Sequence, residues 1–233
     1  MRFDANFGEA EAIQLKAAIL LYGGAKGISY ASVHEPYQDQ RGAPYLDAGR
    51  SITVEFLRTM ARGLGLQLSA EILPETVLVR TQDLVCWWVP ALVRPMFFSA
   101  TSDGKTLNGK AFPHPPLVFA LEGDHGLSVR ALFENRRPDR ASAIGVAPYW
   151  NANPAGGVCL GSMPTPRSAG LDSLVQWVEG FFRSEFTHPN TTKLTNHPQG
   201  HLGLWRDLAG RDHFPHEWLV PAGILEQWLC AHR

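Results

Sequence analysis

The sequence predicts an α+β domain: an antiparallel β-meander flanked by helices, with an N-terminal β-hairpin extension. Three observations point there. Short β-prone segments between residues 77 and 133 are joined by connections too short for crossover helices. Two stretches, residues 51–63 and 171–186, carry apolar side chains at helical spacing. The 22 glycines and 17 prolines in 233 residues make the chain richer in turns than a helical bundle.

Taken in order, residues 11–22 and 27–34 are β-prone and flank Gly23-Gly24, a hairpin signal. A helix follows from Ser51, its expected N-cap, to Gly63. Val54, Leu57, Ala61 and Leu64 form one apolar stripe of it, and Ile52, Phe56 and Met60 an adjoining one, so the helix is expected to be largely buried. Residues 77–79, 84–89, 93–98, 117–121 and 127–133 read as successive strands punctuated by Pro90, Pro95, Pro113, Pro115 and Pro116. Residues 147–168 have little periodicity and much turn chemistry. Leu171, Leu174, Val175, Val178, Phe181 and Phe182 then mark a second helix, residues 202–208 a short third one, and Pro221 the first turn of a last helix carrying Leu225, Trp228 and Leu229. The expected organisation is residues 1–50 as a hairpin elaboration packed on a domain formed by residues 51–233.

Composition excludes several functions. With 21 Lys and Arg against 22 Asp and Glu, the net charge of −1 argues against nucleic-acid binding by bulk electrostatics. Arg136-Arg137-Pro138-Asp139-Arg140 is a small basic cluster, read as a solvated turn. No apolar run approaches the roughly 18 residues needed to span a bilayer. Asp4 and Glu9 stand where a secretory leader would be basic and then apolar, so a cytoplasmic location is expected. Gly104-Lys105-Thr106 resembles the end of a phosphate-binding loop, but Ser99 replaces the upstream glycine. His197-x3-His201 has zinc-ligand spacing, but Pro198 and Gly200 intervene and no third ligand is apparent; no metal and no cofactor are expected.

Three cysteines without CxxC pairing form no disulfide or zinc framework. Cys86, between Val85 and Trp87, and Cys230, on the last helix, read as small buried hydrophobes. Cys159 differs, because it follows Gly156-Gly157 in a turn-rich loop, where a thiol can be reached and ionised. Its bland alternative is a small side chain tucked under that loop by Val158 and Leu160.

The loop Tyr149-Trp150-Asn151-Ala152-Asn153-Pro154-Ala155-Gly156-Gly157-Val158-Cys159-Leu160 resembles the active-site loop of ubiquitin-conjugating enzymes. There a His-Pro-Asn precedes the cysteine, with its Asn eight residues before it. Tyr149-Trp150-Asn151 occupies that place, Gly156 matches the turn glycine, and the motif's histidine is missing. A chain with the cysteine but not that histidine resembles prokaryotic ubiquitin-conjugating-enzyme-like family D, which includes the B protein of the PRTRC cassette. The resemblance covers residues 51–210, and residues 1–50 fall outside it. It implies a ubiquitin-conjugating (UBC-like) fold and transthiolation. A ThiF-like adenylating enzyme would pass a small ubiquitin-like protein, as a thioester, to Cys159, and an amine would then accept it. Asn151 would donate to the tetrahedral oxyanion of each step, with an ordinary loop residue bonding nearby backbone as its equal alternative. The family carries its histidine after the cysteine. His188 is ranked first for that role, His201 second and His197 third, each with the alternative of an ordinary loop histidine.

Two rivals stand beside this reading. One is a UBC-like scaffold that binds the modifier or its activating enzyme without chemistry. The other is a Cys-His hydrolase of such conjugates. The hydrolase is disfavoured because Cys159 precedes Leu160-Gly161-Ser162-Met163-Pro164 rather than opening a helix.

Overall fold

The computed structural model describes residues 15–25, 27–65, 71–81, 83–99, 101–123, 126–166, 170–189 and 193–231. The chain divides into two compact units, residues 1–71 and 72–233. The division lies beyond the 50/51 boundary read from the sequence, and residues 51–71 go with the first unit.

In the N-terminal unit, β1 (Ala18–Gly24) and β2 (Gly27–His34) pair antiparallel, Ala18 opposite His34 and Tyr22 opposite Tyr30. Gly27, at φ 108°, takes a turn conformation that L side chains avoid. Residues 11–14 of the expected first strand lie outside the described residues. The strands β3 (Pro36–Gln38) and β4 (Pro44–Leu46) form a second small hairpin, and β5 (Arg50–Ser51) pairs with β2. Helix α1 (Val54–Gly63) is capped by Thr53, whose hydroxyl accepts from the Phe56 N–H at 3.1 Å; Ser51 belongs to β5. None of the residues of α1 is buried, contrary to the burial its apolar arc predicts. Helical periodicity reports which side of a helix is apolar; burial also requires a surface to cover that side.

The second unit is built on a six-stranded sheet among the described residues. Its strands are β6 (Val77–Arg80), β7 (Leu84–Val89), β11 (Leu117–Glu122), β12 (Gly126–Leu132), β13 (Ala143–Val146) and β15 (Pro221–Ile224). They lie in the order β15-β13-β12-β11-β7-β6, each neighbouring pair antiparallel. The expected strand 93–98 is not one of them. It is broken into β8 (Leu92–Pro95) and β9 (Phe97–Phe98), which leave the sheet to pair with β10 (Ala111–His114) and with β14 (Glu185–Phe186). Pro95, without an N–H, suits such a short outlying pair and not a central strand.

Pleating sends alternate side chains to opposite faces. Leu117, Phe119 and Leu121 of β11, with Leu127, Val129 and Ala131 of β12, face the larger core. Helix α2 (Leu174–Arg183) contributes Leu174, Trp177, Val178, Phe181 and Phe182 to it, and α3 (Gly200–Leu208) adds Leu204, Trp205 and Leu208. Val118, Ala120 and Leu132 face the other way, onto Leu225 and Trp228 of α4 (Leu225–Cys230). Pro221 opens a strand and not a helix turn: β15 pairs with β13 before α4 begins. Proline's fixed φ and missing N–H are tolerated at a strand start as well as at a helix start, and the open edge of β13 decides between them. No helix of the described residues is long and apolar enough to cross a membrane.

Phe119 is fully buried, stacks on Trp87 and meets Phe181 edge-on, each at 5.4 Å between centroids. Val175, which fits the apolar pattern of α2, is 69% exposed, and Trp177 faces the core instead. Phe119→Ala is therefore expected to cost about 3–5 kcal/mol in denaturant unfolding of this unit. Val175→Ala should stay within about 0.5 kcal/mol.

Candidate active site

Strand β13 pairs with only the second half of β12, Arg130 to Leu132. The chain then leaves the sheet at Val146 and returns to the unpaired first half. Val158 N–H donates to the Leu127 carbonyl at 2.9 Å, Val129 N–H donates to the Gly156 carbonyl at 2.8 Å, and Ser128 bridges to Gly157. Between these points the loop folds on itself as a small hairpin. Ala152 bridges to Val158, and Asn153 N–H donates to the Gly157 carbonyl at 3.0 Å. The Asn153 side-chain oxygen accepts from the Gly157 N–H at 3.1 Å, and Gly156 takes a φ of 103° at the turn.

The hairpin accounts for the spacing of eight between Asn151 and Cys159. The two residues lie across from each other, and Cys159 N–H donates to the Asn151 carbonyl at 2.7 Å. Cys159 is exposed, whereas Cys86 is buried and burial pushes its thiol pKa up to about 12. Cys230 is also exposed, contrary to the buried position expected of it. On α4, Leu225 and Trp228 take the sheet-facing positions and leave Cys230 at the helix end outside them.

Upstream, Tyr149-Trp150 anchors the site in aromatic packing. The Tyr149 ring lies edge-on to Phe181 at 4.9 Å, and Trp150 lies edge-on to Phe98 at 5.1 Å. The His114 Nε2–H donates to the Arg94 carbonyl at 3.2 Å, so Nδ1 accepts from the Tyr149 hydroxyl at 3.0 Å. Burial drives the His114 pKa down to about 3, which keeps the ring neutral. Asn151 is half-buried. Its side-chain N–H donates to Ser184 Oγ at 3.3 Å, and Ser184 Oγ donates to the Phe181 carbonyl at 2.7 Å. A carboxamide carries two N–H groups, so this bond occupies one and leaves a second donor.

The histidines separate clearly. His201, in the first turn of α3, lies edge-on to Trp150 at 5.6 Å, next in sequence to Asn151. Burial lowers its pKa, and its Nδ1 is buried without a hydrogen bond among the described residues. Burial thus favours the uncharged form of this imidazole. His188 is exposed and pairs with the Thr187 hydroxyl at 3.0 Å; none of its described contacts reaches the Cys159 hairpin. His197 is buried and fully engaged. Its Nδ1 accepts from the Gln199 N–H at 3.2 Å, so Nε2 donates to Asp207 at 3.0 Å, and its ring meets Trp218 edge-on at 4.6 Å. Both of its ring nitrogens are thus taken up by protein partners.

A family model, Prokaryotic E2 family D, matches residues 56–222. The chain belongs to that family. No curated protein and no solved structure matches it. The family D match spans the whole Cys159 hairpin, Asn151, His188 and His201, and it leaves β1 to β5 outside. Family D membership gives the chain a ubiquitin-conjugating-like role, with a ubiquitin-like modifier and its activating enzyme as partners in general.

Sequence reasoning missed His114 and Ser184. His114 sits in the Pro113–Pro116 run, which signals strand edges and not a buried polar contact, and Ser184 lies at the C-terminal end of α2, where nothing in the sequence marks a partner for Asn151. Because His114 is neutral when folded and protonates near its ordinary 6.5 when unfolded, the unfolded state binds more protons between those values. Stability should therefore fall as pH drops from 6.5 toward about 3, with a shallower fall in His114→Gln, measured by denaturant titrations across that range.

Proposed function

We propose that Cys159 accepts a small ubiquitin-like protein as a thioester from a ThiF-like activating enzyme and passes it to an amine. The carrying observation is an exposed cysteine whose backbone N–H bonds the Asn151 carbonyl across a hairpin, on the loop that resembles the ubiquitin-conjugating active site. The fold that goes with this reading is the ubiquitin-conjugating one. Its supporting feature is the order of antiparallel meander, cysteine loop, then α2 and α3.

In the first step the Cys159 thiolate attacks the thioester carbonyl carbon of the incoming modifier. A C–S bond forms and the carbonyl becomes a tetrahedral oxyanion. Collapse breaks the donor's C–S bond, and the donor sulfur leaves as a thiolate. In the second step an amine attacks the Cys159 thioester, an amide bond forms, and Cys159 leaves as a thiolate. The nitrogen's excess proton goes to a base. The free N–H of Asn151 suits the oxyanion in both steps, with Ser184 holding the carboxamide. Of the two candidate bases we assign His201, whose neutral ring packs beside the Asn151 segment, ahead of the exposed His188.

The test mixes the protein with its activating enzyme, ATP and modifier and follows a reducible adduct on a non-reducing gel. Cys159→Ala should abolish the adduct. Asn151→Ala should slow its formation roughly 10²–10³-fold, the usual effect of losing one oxyanion donor. His201→Ala should slow transfer to amine on the order of 10²-fold, with His188→Ala much less affected. Absence of any adduct with active partners would replace this reading with a docking scaffold, and cleavage of a preformed conjugate would replace it with a hydrolase.

A further inference from the structure

We propose that Arg130 is the positioning residue of the Cys159 hairpin, clamping its tip through a hydrogen bond from the guanidinium to the Pro154 carbonyl. The proposal rests on the reading of Cys159 as the reacting thiol. Arg130 lies on β12, opposite Val118 of β11 and Val146 of β13, so both neighbours hold its backbone. It is only 6% exposed, unusual for an arginine, and forms no ion pair with a carboxylate among the described residues. Its guanidinium lies 5.9 Å from the centre of the Trp228 ring, and its Nη1 donates to Pro154.

The hairpin lies directly on this group. A Cβ added at Gly156 would come within 3.1 Å of Arg130 Nε and 3.2 Å of the Val129 carbonyl, at a φ that already disfavours a side chain. A buried guanidinium is costly unless acceptors meet it, and here the acceptor is the turn itself. Leu127 holds the strand end of the hairpin at Val158, while its turn is held at Gly156 by the Val129 N–H and at Pro154 by Arg130. Loss of the turn contact should let the register between Asn151 and Cys159 fluctuate, which alters the rate of attack more than the binding of a carrier protein.

The experiment uses the full chain and its variants Arg130→Gln and Arg130→Lys. Hydrogen exchange is read at Gly156, Val158 and Cys159, whose N–H groups bond Asn153, Leu127 and Asn151, with Phe119 and Leu121 of β11 as controls. In Arg130→Gln the hairpin amides are expected to exchange about tenfold faster, the scale of one charge-assisted hydrogen bond, while β11 stays protected. Single-turnover loading of Cys159 should fall by a similar factor at unchanged half-saturating modifier. Arg130→Lys, which keeps the charge and one donor, should recover most of both losses. Unchanged hairpin exchange in Arg130→Gln would overturn the proposal, as would an equal rise across hairpin and β11 in both variants. If Arg130→Gln does not fold, Arg130→Lys decides by the same criterion, a smaller but selective loss of hairpin protection. Exchange needs no partner protein, so a wild-type chain that forms no thioester refutes the chemistry while the clamp is judged on exchange alone.

Discussion

The unpaired half of β12 is the constraint from which the site follows. Backbone N–H and C=O groups at a buried position must find partners, and β13 reaches only Arg130 to Leu132. The loop after β13 supplies the rest by returning along Leu127 to Val129. A segment that only joined two elements would be free to vary. This one completes the sheet, and in doing so it sets Asn151 and Cys159 opposite each other.

Around that frame the loop itself is uncharged, and among the described residues the one charged group bonded to it is the Arg130 guanidinium at its turn. No charged residue occurs between Asn151 and Pro166, and the side chains that hold the loop from beneath are a tyrosine, a neutral histidine, a tryptophan and a serine. The histidine of the ubiquitin-conjugating His-Pro-Asn motif is absent from the position of Tyr149, and the polar contact at that position is made by the Tyr149 hydroxyl with His114 from β10. The polar atom at this position thus serves the core, while Cys159 stays on the exposed side of the hairpin.

Much of this was legible in the sequence, for reasons that differ from element to element. The strands at Leu84–Val89, Leu117–Glu122 and Gly126–Leu132 are short apolar runs bounded by turn residues, and the sheet buries both of their faces, so nothing blurs their signal. The spacing of Asn151 and Cys159 is legible because a short hairpin makes sequence distance a spatial one. What failed depends on distant partners. The strand at Pro221–Ile224 exists because β13 offers an edge far away in sequence, and β9 pairs with β14 across a long interval. The polarity of His114 is satisfied by Tyr149 and Arg94, neither adjacent to it. The exposure of α1 and of Cys230 likewise depends on what lies opposite them, which periodicity alone does not encode.

The late placement of β15 bears on how the polypeptide matures during synthesis. Strands β6 to β13 and the Cys159 hairpin leave the ribosome well before residues 221–224, and until those arrive β13 is an uncovered sheet margin. The face formed by Val118, Ala120, Leu132 and Ile144 likewise waits for Leu225 and Trp228. A nascent chain stalled in this interval would present both a sticky strand border and a bare greasy plane, the combination that chaperones hold and that invites co-aggregation.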